Sequence, residues 1–143
     1  MKAKNQTPNH CLSPNEIESR LKSAGVQPTA QRIAICRFVL CEAKHPTAEQ
    51  VKAWADLNFP KISLATVYNT LGILVQAGLL KEYRFPHTES SVYDNNLTSH
   101  HHFLDEATGE LIDIEPDQLS VNLKLKPSFK IKEMEILLKG TRS

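Results

Sequence analysis

Apolar residues recur at helical spacing through the first half of the chain and closer to alternation in the second. Ser13-Pro14-Asn15-Glu16 offers an N-cap serine, proline at the first helical position and glutamate at the third, and Gly25 marks the expected left-handed stop. A second helix is predicted from Thr29 through Ile33, Ile35, Phe38, Val39 and Leu40. A third opens on another capping box, Thr47-Ala48-Glu49-Gln50, and passes Val51 and Trp54. A fourth runs from Ser63 through Val67, Leu71, Leu74 and Val75 and stops at Gly78.

Beyond Gly78 the period changes. LLKEYRF and SSVYD are short runs bearing Tyr, Phe and Val, and PHTES between them reads as a hairpin turn. Small helices followed by a two-stranded hairpin describe a winged helix, in which the helix before the hairpin enters the major groove of DNA. Further on, HHHFLD and ELIDI flank Ala107-Thr108-Gly109, a second hairpin signal. Residues 117–125 are predicted to form a short helix, and FKIKEMEILLK, placed after Pro127, is more strand-like than helical. The fold class expected is α+β. A winged helix-turn-helix domain (1–85) is followed by a hinge (86–94) and a small α/β domain (95–143).

Composition adds bounds. A chain of 143 residues, 41% hydrophobic and 23% charged, has the make-up of an ordinary globular protein. No window is apolar enough for a membrane helix, and MKAKNQTPNHCLSP lacks the apolar stretch of a secretory signal, so a cytoplasmic location is expected. Cys11, Cys36 and Cys41 are odd in number and form no C-x-x-C pair, which argues against a disulfide framework and against a cysteine-held zinc. Cys36 and Cys41 read instead as small core residues. Charge is uneven. Residues 1–84 hold 11 Lys and Arg against 6 Asp and Glu, net +5, and residues 85–143 hold 6 against 10, net −4. A basic first half fits a polyanionic partner.

On the fourth predicted helix, Val67, Leu71, Leu74 and Val75 make one face, and Thr66, Tyr68, Asn69 and Thr70 are expected on the other. These side chains can exchange hydrogen bonds with bases, and the Tyr68 ring can pack on a thymine methyl. Any amphipathic helix with a polar outer face has this periodicity; the neighbouring hairpin and the positive half favour DNA. Phosphate contacts would come from Lys22, Arg32, Lys61, Lys81 or Arg84, although Arg32 reads equally well as a solvated helix residue.

The run His100-His101-His102 admits two readings, a solvated stretch near a turn or part of a metal site. On a strand, His100 and His102 share a face and His101 points away as a bystander. Pairing through the turn at Gly109 would return Asp113 beside them, while Asp94 ends the first hairpin and His45 lies in the loop before the third helix. Imidazoles and carboxylates without a thiolate suit Fe(II), Mn(II), Co(II) or Zn(II). The bland alternatives are a turn former for Asp94, an exposed strand acid for Asp113 and a loop residue for His45.

GVQPTAQRIAI, HPTAEQV, SLATVYNTL, AGLLKE and H-x-H, in that order and spacing, resemble the ferric uptake regulator superfamily over nearly the whole chain from about residue 13. The resemblance implies a dimeric, metal-dependent repressor with an N-terminal winged helix and a C-terminal α/β dimerisation lobe, acting on palindromic double-stranded DNA. It implies a regulatory metal site of His45, Asp94, His100, His102 and Asp113, holding Fe(II) or Mn(II), and base-facing positions at Tyr68 and Asn69. Two aspartates in the ligand set, and YN after SLATV, resemble the peroxide-sensing branch, in which His45 or His100 would be the oxidation-sensitive ligand. The chain departs from the common pattern at Asp105 and Thr108, which stand where a first C-x-x-C pair would be, so no cysteine-held structural zinc is expected. An iron- or zinc-uptake repressor is the rival within the family. A hydrolytic metalloenzyme is disfavoured because no general base stands beside an open coordination position.

Overall fold

A computed structural model describes residues 11–59, 61–85 and 89–143. The described chain comprises two compact units, divided after Leu97. Residues 1–10, 60 and 86–88, the last within the expected PHTES turn, lie outside the described residues.

The first unit contains α1 (Pro14–Ser23), α2 (Ala30–Cys41), α3 (Ala48–Asn58) and α4 (Leu64–Gln76), then β1 (Lys81–Tyr83) and β2 (Val92–Asp94). Local chemistry sets the helix starts. Ser13 and Thr47 close complete capping boxes with Glu16 and Gln50, and the Thr29 and Ser63 hydroxyls accept from Arg32 N–H and Thr66 N–H. After α1 and α4, Gly25 (φ 75) and Gly78 (φ 76) take the left-handed turn, and Val26 and Leu79 N–H groups donate back to the Leu21 and Leu74 carbonyls. β1 and β2 pair antiparallel with Lys81 opposite Asp94, forming the wing.

One core joins the helices. Ile17 and Leu21 of α1, Ile35, Val39 and Leu40 of α2, Val51 of α3 and Val67, Leu71 and Leu74 of α4 are all fully buried, and the Phe38 and Trp54 rings stack 4.2 Å apart. Thr70 departs from expectation. It is fully buried, and its hydroxyl donates to the Thr66 carbonyl at 2.8 Å, because positions 67, 70, 71 and 74 form one helical stripe. The cysteine reading is also corrected. Cys11 and Cys41 form a disulfide, their Cα atoms 4.7 Å apart across a separation of 30 residues. Parity forbids only a full pairing of three cysteines; Cys36 is left as the buried thiol, its pKa pushed up to about 12 by burial.

The second unit is a three-stranded sheet with β3 (His101–Asp105) between antiparallel β4 (Leu111–Ile114) and parallel β5 (Leu137–Gly140). The expected helix at 117–125 is not formed. A single 3-10 turn covers Pro116–Gln118, and residues 119–136 have no regular structure. Val121, Leu123, Leu125, Phe129 and Ile131 alternate with polar residues and stay exposed, a strand-type pattern without the apolar stripe a helix needs. Of the predicted FKIKEMEILLK strand, only its end enters β5.

Candidate metal centre and nucleic-acid interface

In the first unit, His45 lies in the loop from α2 to α3 with φ 49, a left-handed backbone uncommon for a side chain with a Cβ. Neighbouring contacts hold it there. The Asn95 amide nitrogen lies 3.0, 3.3 and 3.2 Å from the carbonyls of Val39, Leu40 and Ala43 at the end of α2. Just after His45, the Pro46 carbonyl accepts from Tyr93 N–H, and Thr47 bridges to Val92. The wing strand β2 is thereby drawn against the loop. Asp94 Oδ2 comes 3.4 Å from His45 Nε2, while Oδ1 accepts from Asn96 N–H at 2.9 Å.

In the second unit, a direct cross-strand pair sets His102 opposite Asp113. His100 Nε2 and His102 Nε2 stand 3.1 Å apart, and Asp113 Oδ1 is 3.4 Å from the first and 3.5 Å from the second. Ligand atoms around one ion at about 2.1 Å stand roughly 3.0–3.4 Å from each other in octahedral or tetrahedral geometry. The observed spacings, 3.1–3.5 Å, lie within about 0.1 Å of that range. His100 Nδ1 lies 2.7 Å from the Thr98 carbonyl and so carries the proton, which leaves Nε2 with a lone pair for a metal. These donors fit a borderline or hard divalent ion.

His101, expected to be a bystander, is buried, and its Nδ1 accepts from Ile136 N–H at 3.2 Å, fixing the entry to β5. Asp105 is buried as well. Arg142 Nε donates to Asp105 Oδ2 at 2.8 Å and Arg142 Nη2 to Glu110 at 2.9 Å, tying the chain beyond β5 to the β3–β4 turn. The Arg142 hydrogen bond is the main reason the Asp105 carboxyl sits below its ordinary pKa. Thr108 Oγ1 accepts from Glu110 N–H within the same turn. Asn95 and Arg142 carry no sequence signal and His101 reads there as a bystander, yet each acts through a contact more than 30 residues away.

On α4, Tyr68 and Asn69 are exposed and Thr66 is half-buried, its hydroxyl 3.0 Å from that of Ser63. Arg32 on α2 is half-buried and its Nη1 donates to the Gln27 carbonyl at 3.0 Å. Arg84, past β1, donates to the Glu89 carbonyl at 3.3 Å. No helix among the described residues is long and apolar enough to cross a membrane.

The chain is 37% identical to the peroxide-responsive repressor PerR of Staphylococcus aureus over 105 residues, which span 73% of this chain and 70% of that protein. The fold is that of the Vibrio cholerae ferric uptake regulator, with a TM-score of 0.66 and 22% identity over 87% of this chain and 98% of that one. Streptococcus pyogenes PerR, solved as a structural basis for peroxide sensing and gene regulation, aligns with a TM-score of 0.53 and 22% identity, covering 99% and 96% of the two chains. Residues 23–139 match the ferric uptake regulator family. Both parts of the fold and most of the sequence agree: the chain belongs to the ferric uptake regulator family.

Proposed function

We propose that the protein is a metal-dependent DNA-binding repressor that senses peroxide through histidine oxidation at an Fe(II) or Mn(II) site. The observation that carries this reading is the trio of His100 Nε2, His102 Nε2 and Asp113 Oδ1 at mutual distances of 3.1–3.5 Å. His45 and Asp94, themselves 3.4 Å apart, would complete a five-ligand site. Kinship with the S. aureus peroxide-responsive repressor supports the sensing role.

The residues have separate tasks. His100, oriented by Thr98, and His102, fixed in register by β3, present imidazole nitrogens. Asp94 and Asp113 bring the negative charge that favours a divalent cation. Occupancy by one ion would couple the wing-proximal pair to the sheet trio and so set how Tyr68, Asn69, Thr66 and Arg32 meet DNA. An Fe(II) ion held there would supply redox catalysis; in the net step one peroxide oxygen would end on a ring carbon of His45 or His100 and the other would leave as water, the imidazole giving up the two electrons. An oxidised imidazole is a poorer ligand, which would release the metal and end repression. By function, residues 1–85 would meet DNA, 86–94 couple, and 95–143 sense metal and pair with a second copy. The exposed apolar residues of 119–136 are suited to burial in that homodimer, which would read a palindromic site in the cytoplasm.

The test compares Fe(II)-loaded and Mn(II)-loaded protein on selected duplex DNA, with and without micromolar hydrogen peroxide, alongside peptide mass. Release of DNA by the iron form only, with one added oxygen atom on a His45 or His100 peptide, is the expected result. DNA binding that follows metal level and ignores peroxide would replace the sensing reading with that of an uptake repressor.

A further inference from the structure

The DNA-binding reading leaves Glu49 unexplained, an acidic residue on the face that would meet a polyanion. Glu49, in the first turn of α3, accepts a hydrogen bond from the Tyr68 hydroxyl on α4 at 2.8 Å. The Ser90 side chain, just before wing strand β2, bonds the same carboxylate. One exposed carboxylate therefore gathers α3, α4 and the wing. The arrangement is mutual: the Tyr68 bond holds the Glu49 carboxyl below its ordinary pKa, and Glu49 pushes the phenol above its own. A carboxylate beside DNA weakens binding by charge alone, so its presence calls for another role.

We propose that Glu49 is a positioning residue for base reading, holding the Tyr68 hydroxyl so that the phenol meets the groove as an apolar surface selective for the thymine methyl group. This rests on the DNA-binding reading above. With its O–H committed to Glu49, Tyr68 has no proton to offer a phosphate or a base acceptor, while 43% of the residue stays exposed. A charged acceptor makes a stronger hold than a neutral one. A ring fixed before binding loses less rotamer freedom when it docks.

Wild-type Mn(II)-loaded protein is first used to select a duplex from a randomised pool, and that duplex is then the probe. Glu49→Ala should weaken binding about threefold to tenfold, the effect of one lost hydrogen bond, against the gain that removal of a negative charge would give. Glu49→Gln, which keeps an acceptor oxygen, should stay within about twofold of wild type or bind more tightly. Replacing the contacted thymine by deoxyuridine should cost wild type about fivefold or more and cost Glu49→Ala clearly less. Any one of three results overturns the proposal: Glu49→Ala binding as tightly as wild type or tighter, Glu49→Gln falling as far as Glu49→Ala, or equal deoxyuridine penalties in wild type and Glu49→Ala. Selection of no duplex by the wild type would remove the DNA-binding reading itself, and this inference with it.

Discussion

In residues 11–97 the fully buried side chains include Ile17, Leu21, Ile35, Leu40, Val51, Leu71 and Leu74, whereas in residues 98–143 the buried set is His100, His101, His102, Asp105 and a single leucine, Leu104. The exposed large hydrophobics lean the other way, with Val121, Leu123, Leu125, Phe129, Ile131 and Leu138 all in the sheet unit. The helical unit therefore draws its stability from apolar burial and well-made helix ends. The sheet unit has little apolar interior and depends on hydrogen bonds, one arginine cluster and whatever it binds. The sheet unit, which carries the His100, His102 and Asp113 trio, is therefore the part whose order has most to gain from a bound ligand.

The strongest way to break the contrast is to open a hole in the helical core. Leu71→Ala should cost about 4 kcal/mol in denaturant unfolding, and hydrogen exchange should speed up through α1–α4 while the sheet amides change little. Equal acceleration in both units would show that they share one cooperative transition. Next in size is the disulfide. Cys41→Ser, compared with oxidised wild type, should cost about 3–4 kcal/mol for a loop closed across 30 residues, again in the helical unit.

The converse effect belongs to the sheet. Mn(II) at about 100 times its Kd should raise stability by about 2.7 kcal/mol, with added amide protection centred on His102 and Asp113, and His102→Ala should abolish the gain. Protection confined to α1–α4 would contradict the assignment of the donors. The smallest effect sharpens the comparison by pH. Asp105 has its carboxyl held low by Arg142, so its contribution is complete above the ordinary aspartate range and fades as pH falls through the depressed native value. Arg142→Gln should therefore move acid unfolding of the sheet to higher pH and leave the helical unit where it was. Circular dichroism followed from neutral pH downward would detect this, and an unchanged acid midpoint would deny Asp105 that role.

What could be read from the sequence follows the range of the interactions. Ser13, Thr47 and Gly78 act within four residues of themselves, so the helix boundaries are legible from local pattern. The pairing of His102 with Asp113 is nearly as legible, because a short turn through Gly109 leaves little freedom of register. Thr70 shows the limit of residue type as a guide: a hydroxyl that bonds its own helix can be buried as readily as a valine. The Cys11–Cys41 bond and the clasp of Asn95 on α2 depend on packing of distant segments and leave no periodic trace. Residues 119–136 mislead for a different reason. Their alternation at 121–131 is genuine, but among the described residues of one chain no strand pairs with that stretch.

The Asn95 amide also makes the His45 loop sensitive to charge. Three carbonyl oxygens converge on its nitrogen, so the group there has to bring protons. An aspartate at this position would exchange a donor for an anion facing three lone pairs. The loop that carries His45 would then be pushed off the end of α2.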